Sequence, residues 1–437
     1  MLRTLKNKNQ IMLLSYNNNK LNTKKFKGLY VTLFILFYLF NFSLGVERIN
    51  IFIKYAYIYS TVLAIYFLFR VTFSKKILID KRFLFLFITI QLFTIIFCLL
   101  NGILFSSIVN AGHQIMFLII FGGIFILYDF NRINFAQFFC NVIIIVTTLS
   151  LIFAFWGFLF GSFSFGPFIY QSFQGYVFRL DGWYSSANYL GPAIAIGAIV
   201  LLFKLLNKYL FALTFRHKIW LIVLFIFHVI GIILTGSRGS YGSFLIGILV
   251  FLFFQKDLIK IRIKYILYSL IIISLSLFAI IYVMTELGYD WTKIETDFIR
   301  YDQLERYKEG GERVYLWTKA FEFLTQANIF HFLFGHGIGF YREKMYIAAH
   351  SGYIELFIGR GMLIFFLFLY LLYYSLKKSI KINDEYNIGT LTISLLFLIM
   401  AKNVVNAEIP TNTFPGIVFI FILVLLFFKP SKANNFN

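Results

Sequence analysis

The stretch GIILTGSRGSYGSFLIGILV, residues 231–250, is apolar on both sides of a Gly-Ser-Arg-Gly break at 236–239. Each flank continues an apolar run of about 20 residues, the length that spans a bilayer as helix, and Gly and Ser punctuate such runs with turns. Two spans therefore turn at this break, and a permanent cation, Arg238, stands at the turn.

The remainder of the chain has the same character. Of its 437 residues, 60% are hydrophobic, 21% aromatic and only 14% charged, whereas a soluble domain carries roughly 25% charged residues. The composition excludes a soluble protein. A net charge of +21 does not imply a nucleic-acid partner, because the basic residues come in small clusters between apolar runs. Cys98 and Cys140 lie inside apolar runs and read as small buried hydrophobes, without a disulfide or zinc framework.

Apolar runs of span length centre near residues 37, 62, 94, 118, 149, 197, 227, 247, 275, 363, 395 and 421. The expected fold is all-α: a polytopic integral membrane protein of about 12 transmembrane helices. Residues 1–27 form a basic tail, too polar and long for a signal peptide. If that tail is cytoplasmic, alternate connections hold Lys75, Lys76, Lys81 and Arg82; Arg132; Lys204, Lys208, Arg216 and Lys218; Lys256, Lys260, Arg262 and Lys264; and Lys377, Lys378 and Lys381. Every second loop is basic, as the positive-inside rule requires when both termini are cytoplasmic. The chain thus divides into the tail 1–27, nine spans over 28–285, a large extracytoplasmic loop over 286–349, three spans over 350–429 and a cytoplasmic tail at 430–437.

The long outer loop holds ten acidic residues against eight Lys and Arg, so it does not share the basic bias. Within it, GERVYLWTKAFEFLTQANIF (311–330) spaces Val314, Trp317, Ala320, Phe321 and Leu324 as the stripe of an amphipathic helix along a membrane. GHGIGF (335–340) lacks the preceding strand of a dinucleotide fingerprint and reads as a tight turn returning the chain to the membrane.

On the outer side Arg238 gains nothing from the positive-inside bias; a helix-end arginine reaching for the interface is the plain alternative. Other residues gather there. Arg179 lies in FRLDGWYSSANYLGP (178–192), Arg313 opens the amphipathic helix, and His350 in AAHSGYIELFIGRGML (348–363) marks the entry to the tenth span. Arginine's planar fork binds phosphate bidentately, and histidine accepts a proton near neutral pH. A lipid diphosphate bearing a sugar suits that set. His336 and His331 are near the same motifs, His113 and His228 read as hydrogen-bonded packing residues, and His217 as solvated.

At these residues the chain resembles the O-antigen ligase and O-antigen polymerase superfamily of bacterial envelope proteins. LTGSRGSYGSFL, RLDGWYSSANYLGP, GERVYLW, LFGHGIGF and HSGYIELFIGRGML look like its successive motifs, over about residues 179 to 362. The resemblance implies a membrane-embedded, GT-C-like fold and a metal-independent, inverting glycosyltransferase without a cofactor. Its donor would be a glycan on undecaprenyl diphosphate, and its acceptor another lipid-linked repeat or a lipid A core. The setting would be the outer face of the bacterial cytoplasmic (inner) membrane. Carried onto this chain, Arg179, Arg238 and Arg313 become diphosphate-binding candidates and His350 the candidate base. Asn188 falls in the matching motif with Ala187 before it, where the family usually has Pro; Ser351 and Gly359 replace the family's usual Asn and acidic residue.

Glu355 and Arg360 are intramembrane charges and candidate supporting residues. Five residues along a helix separate them by about 140° around the axis, so each is expected to find its partner on another helix. The function expected is polymerisation of lipid-linked repeat units into O-antigen, capsule or exopolysaccharide. A ligase delivering the finished glycan to an acceptor is the nearest alternative, a lipid-linked-oligosaccharide flippase the next, and a chain-length regulator is a candidate partner. Single cysteines at Asn328 and Lys378, in a background lacking Cys98 and Cys140, test the orientation. A membrane-impermeant thiol reagent should label the first and spare the second, and the reverse pattern would invert the topology.

Overall fold

A computed structural model describes residues 50–74, 79–100, 104–128, 132–160, 163–165, 168–170, 187–207, 213–255, 311–337, 351–382, 387–405 and 413–429, with a few single positions, Leu180 among them. The expected spans centred near 37 and 275 lie outside those residues. The helices are α1 (Asn50–Ser74), α2 (Lys81–Leu100), α3 (Leu104–Leu127), α4 (Arg132–Phe160), α5 (Ala187–Leu206), α6 (Phe215–Leu234), α7 (Arg238–Phe254), α8 (Gly311–Gln326), α9 (Ile329–Phe334), α10 (Gly352–Ile382), α11 (Ile388–Val405) and α12 (Phe414–Phe427). Ten of them coincide with expected spans. Among the described residues, five helices are long and apolar enough to cross a membrane: those within 132–157, 187–206, 215–234, 352–382 and 388–405. The protein is a multi-pass membrane protein. The all-α expectation needs one correction, an antiparallel hairpin of β1 (Phe163–Phe165) and β2 (Phe168–Tyr170) in the α4–α5 connection.

The helix at the centre of the bundle is α12, whose residues from Phe414 to Phe427 are all buried. A helix that is apolar all round belongs in such a position, and α12 packs against α3, α4, α5, α10 and α11. The abundant aromatics supply its contacts. Phe421 stacks on Phe135 and Phe139 of α4, and Phe427 stacks on Phe83 of α2 with ring centroids 4.5 Å apart. Where α4, α5 and α6 meet, His228 is hydrogen-bonded through both ring nitrogens, to the Leu224 carbonyl at 2.8 Å and to Thr147 Oγ1 at 3.0 Å. It is the packing residue its position in an apolar run suggests. Gly197 makes room there, since a Cβ on it would lie 2.3 Å from Thr147 Oγ1. Small residues let membrane helices approach closely in this way.

The two ends of the bundle differ in chemistry. At one, Asp80 caps α2 through the Arg82 and Phe83 amides, accepts from Tyr374 Oη of α10 at 3.1 Å and lies 3.7 Å from Lys378 Nζ. Its own amide donates to the Phe427 carbonyl at the end of α12. The opposite end holds the start of α10, the α6–α7 turn and the end of α11. These are the segments that carry the sequence motifs.

Two glycine-containing motifs, far apart in sequence, lock together at this second end. Helix α10 breaks at Gly361, whose φ of 76° lies in the left-handed region, and α9 ends at Gly335 with φ of 81°. The His336 amide donates to the Ile358 carbonyl at 2.8 Å, and the Gly337 amide to the Gly359 carbonyl at 2.9 Å. A Cβ on Gly335 would lie 2.5 Å from both Gly359 O and Gly361 N. Those neighbours are backbone atoms and cannot turn aside, so glycine is required for its dihedral and for space. Gly335→Ala should therefore part α9 from α10. Hydrogen exchange reads this directly: the His336 and Gly337 amides should lose protection relative to amides within α12, whereas unchanged protection would contradict the lock.

Candidate functional site

The amphipathic helix α8 packs on the first half of α10, with Ala320 and Leu324 buried against Ile358 and bordered by Phe323, Ile354 and Phe357. Leu316 is also buried, while Phe321 of the expected membrane-facing stripe is 57% exposed. Two residues of the expected stripe, Ala320 and Leu324, make the packing against Ile358. Arg313 lies in the first turn of α8, and its side chain falls outside the described residues. Arg179 and His350 also fall outside them. Their immediate neighbours do not: Leu180 follows Arg179, and Ser351, which is buried, follows His350.

The turn that carries Arg238 is tightly determined. Gly236 has φ of 58°, so the reading of this glycine as a turn residue holds. Its amide donates to the Ile233 carbonyl, and the Leu180 amide donates to the Leu234 carbonyl at 3.0 Å. Tyr241 Oη also donates to Ile233 O. These bonds satisfy carbonyls that the end of α6 would otherwise leave unpaired, and they pin the residue beside Arg179 to the α6–α7 turn. Arg238 opens α7 and is exposed. Gly239 has another use than the turn: a Cβ there would lie 2.5 Å from Val405 Cγ2 and 3.2 Å from Lys402 Nζ, so its missing side chain admits α11.

Ser237 occupies the N-cap position of α7 but makes no side-chain cap hydrogen bond. A capping serine ordinarily accepts from an amide of the first turn. Here the hydroxyl donates to Asn188 Oδ1 of α5 at 3.0 Å and accepts from Ser240 Oγ at 2.9 Å and from Lys402 Nζ at 3.4 Å. Lys402 also donates to Ser240 Oγ at 3.2 Å. The geometry thus joins Asn188 to the Arg238 turn, as two of the sequence motifs would require of a common site. Gly191, one helical turn beyond Asn188, accommodates Ser240: a Cβ on it would lie 2.3 Å from Ser240 Oγ.

Lys402 and its neighbour Asn403 are the residues that sequence reading missed. Both are buried, Lys402 at 1% exposure. Lys402 faces the Arg238 turn, while Asn403 packs on the start of α10, where a Cβ on Gly352 would lie 2.0 Å from Asn403 Oδ1. The Tyr353 hydroxyl reinforces this junction by donating to the Met400 carbonyl at 3.2 Å. Adjacent residues of α11 therefore tie the Arg238 turn to the segment that begins one residue after His350. A signal was present in LLFLIMAKNVVN (395–406), a basic residue near the end of the eleventh apolar run, on the side where the loop alternation does not favour one.

Arg360 and His336 sit at the α9–α10 lock. Arg360 is buried and its Nη1 donates to Thr94 Oγ1 of α2 at 3.1 Å, a partner on another helix as the helical angle predicts. It stands at the end of the first half of α10, where the helix dipole favours a cation. The His336 ring stacks on His331 with centroids 4.4 Å apart and planes 7° from parallel. Burial, followed by the neighbouring imidazole, holds His336 below its ordinary pKa. It is therefore neutral near pH 7, the form that accepts a proton. Glu355, on the first turn of α10, is partly buried, and its amide donates to the Ser351 carbonyl at 3.0 Å.

A search of curated proteins finds no match to the chain. Residues 220–369 match the family model described as O-antigen ligase, a segment that runs from α6 into α10 and includes Arg238, Arg313, His336, His350, Glu355 and Arg360. Over these residues the chain is similar to the O-antigen ligase family, consistent with the resemblance that its motifs show to the ligase and polymerase superfamily.

Proposed function

We propose that this protein transfers a glycan from undecaprenyl diphosphate at the outer face of the bacterial cytoplasmic membrane, with both termini in the cytoplasm. The observation that carries this reading is the linkage through α11: Lys402 bonds to the turn of Arg238, and Asn403 packs on Gly352, two residues after His350. This linkage supports reading Arg238 as a phosphate-binding fork and His350 as a proton acceptor of one site, both within the segment similar to O-antigen ligases. The opposite end, with Lys378 beside Asp80, belongs to the basic cytoplasmic face in this reading.

In the proposed reaction a hydroxyl oxygen of the acceptor sugar attacks the anomeric carbon of the donor from the face opposite the diphosphate. The bond from that carbon to the diphosphate oxygen breaks with inversion, and the hydroxyl proton passes to His350. Arg238, with Arg179 and Arg313, stabilises the negative charge that grows on the leaving undecaprenyl diphosphate, the part a divalent cation plays in other transferases. Preorganised cations of this kind act without rearrangement during the reaction.

With a second lipid-linked repeat as acceptor, the protein is a polymerase, and we favour that reading. The description of the matching family favours ligation to a final acceptor instead. Glycans in a deletion strain separate the two: loss of a polymerase leaves single repeats on the final acceptor, and loss of a ligase leaves long chains on the carrier lipid. For the chemistry itself, His350→Ala should retain donor binding while transfer falls by about 10² or more, the range of a general base; a change below about threefold at normal expression would move the base elsewhere. Arg238→Lys keeps the charge and removes the fork. It should lose about tenfold at limiting donor, or about 1.4 kcal/mol of transition-state stabilisation. Wild-type rates would reduce Arg238 to an interfacial cation.

A further inference from the structure

Lys402 lies outside the matched segment and outside the motifs that carry the family resemblance, yet it donates to both Ser237 and Ser240 of the Arg238 turn. Its burial is costly in principle. An ammonium withdrawn from water inside a membrane bundle loses solvation that polar partners must replace. The position also runs against the helix dipole, since the ammonium abuts the first turn of α7, where the unpaired amides already make the local field positive.

The hydrogen bonds that Lys402 makes have a defined direction. An ammonium only donates, so Ser240 Oγ, having accepted from Nζ, gives its proton to Ser237 Oγ. Ser237 Oγ, with both lone pairs engaged by Ser240 and Lys402, gives its own proton to Asn188 Oδ1. Asn188 is thus held with its carbonyl toward the network and its amide NH2 as the donating end. The chain from Lys402 sets two things together, the backbone of the turn that presents Arg238 and the orientation of the Asn188 amide. Both belong to motifs assigned to the diphosphate. Gly239 admits this arrangement, since any side chain there would meet Val405 and crowd Nζ.

We propose that Lys402 is a positioning residue for the diphosphate site: through Ser240 and Ser237 it fixes the Arg238 turn and the Asn188 amide against the anionic carrier, and its charge adds to the field at that turn. This rests on the reading of Arg238 as the diphosphate fork. It does not require Lys402 to touch the lipid, and it predicts that its effect passes through Arg238.

Binding of undecaprenyl diphosphate to the full chain in nanodiscs tests it, with glycan transfer measured separately. Lys402→Met should weaken binding about tenfold in the wild-type background but by less than about threefold in the Arg238→Lys background, because residues acting as a unit are non-additive. Lys402→Arg, which keeps the donor and the charge, should stay within about threefold of wild type. A thermal midpoint unchanged by Lys402→Met would separate positioning from loss of fold. If that variant does not fold, Ser237→Ala removes the hydroxyl through which Lys402 reaches Asn188 while retaining the ammonium, and it should show the same non-additivity with Arg238→Lys. Wild-type binding by Lys402→Met, or an equal loss in both backgrounds for the variant that folds, would overturn the proposal. Wild-type protein that binds the carrier but transfers no glycan would defeat the functional reading alone and leave the binding comparison to decide Lys402; wild-type protein that does not bind it would overturn both.

Discussion

The Ser237 hydroxyl is shared by three helices, and the arrangement of the motif-bearing end depends on it. It donates to Asn188 on α5 and accepts from Lys402 on α11, while itself standing at the start of α7 beside Arg238. A hydroxyl has one proton and two lone pairs, and all are committed once Ser240 is included. In a hydrocarbon environment each polar group left unpaired costs free energy. The three helices are consequently held at the separation and rotation that complete this set, and Gly191 and Gly239 leave the space for it.

From this point order extends along the chain. Lys402 is followed by Asn403, which packs on Gly352, so the register of α11 fixes the start of α10 relative to the Arg238 turn. Helix α10 then breaks at Gly361 and receives the His336–Gly337 backbone, a junction that also positions Arg360 against Thr94. The outer helix α8 rests on the same half of α10 through Ala320, Leu324 and Ile358. The rigid elements thus converge from several places in the sequence on one end of a bundle whose other faces are apolar. In the proposed reading, that convergence holds the Arg238 turn where a lipid diphosphate would meet polar sugars.

Much of this was legible before any coordinates. Apolar runs of span length located ten of the described helices, because in a membrane the length and polarity of a helix are set by the bilayer itself. Gly236 was legible for a similar reason, since a turn inside apolar sequence needs a residue tolerant of positive φ, and Arg238 stood out as the one cation of that turn. The reading failed where a decision depended on a partner remote in sequence. Gly239 was assigned to the turn although its space serves α11, and the packing of Ala320 and Leu324 on Ile358 of α10 was not foreseen for a helix expected to lie along the membrane. The pairing of Gly335 with Gly361 is a contact between backbones, for which side-chain patterns carry no signal. Lys402 stands out in sequence as a basic residue on the side that the loop alternation does not favour, but its contacts with Ser237 and Ser240 depend on helices remote in sequence.

The central claim is that this network presents Arg238 to the diphosphate of a carrier lipid at one end of the bundle. It is tested most directly by an experimental structure of the protein in nanodiscs with undecaprenyl diphosphate bound. The account predicts phosphate oxygens about 2.7 to 2.9 Å from the Arg238 guanidinium, the spacing of charge-assisted hydrogen bonds, with the Ser237–Asn188 bond retained. A diphosphate bound instead at the opposite end, beside Lys378 and Asp80, or an Arg238 side chain without phosphate contact in the occupied protein, would contradict it.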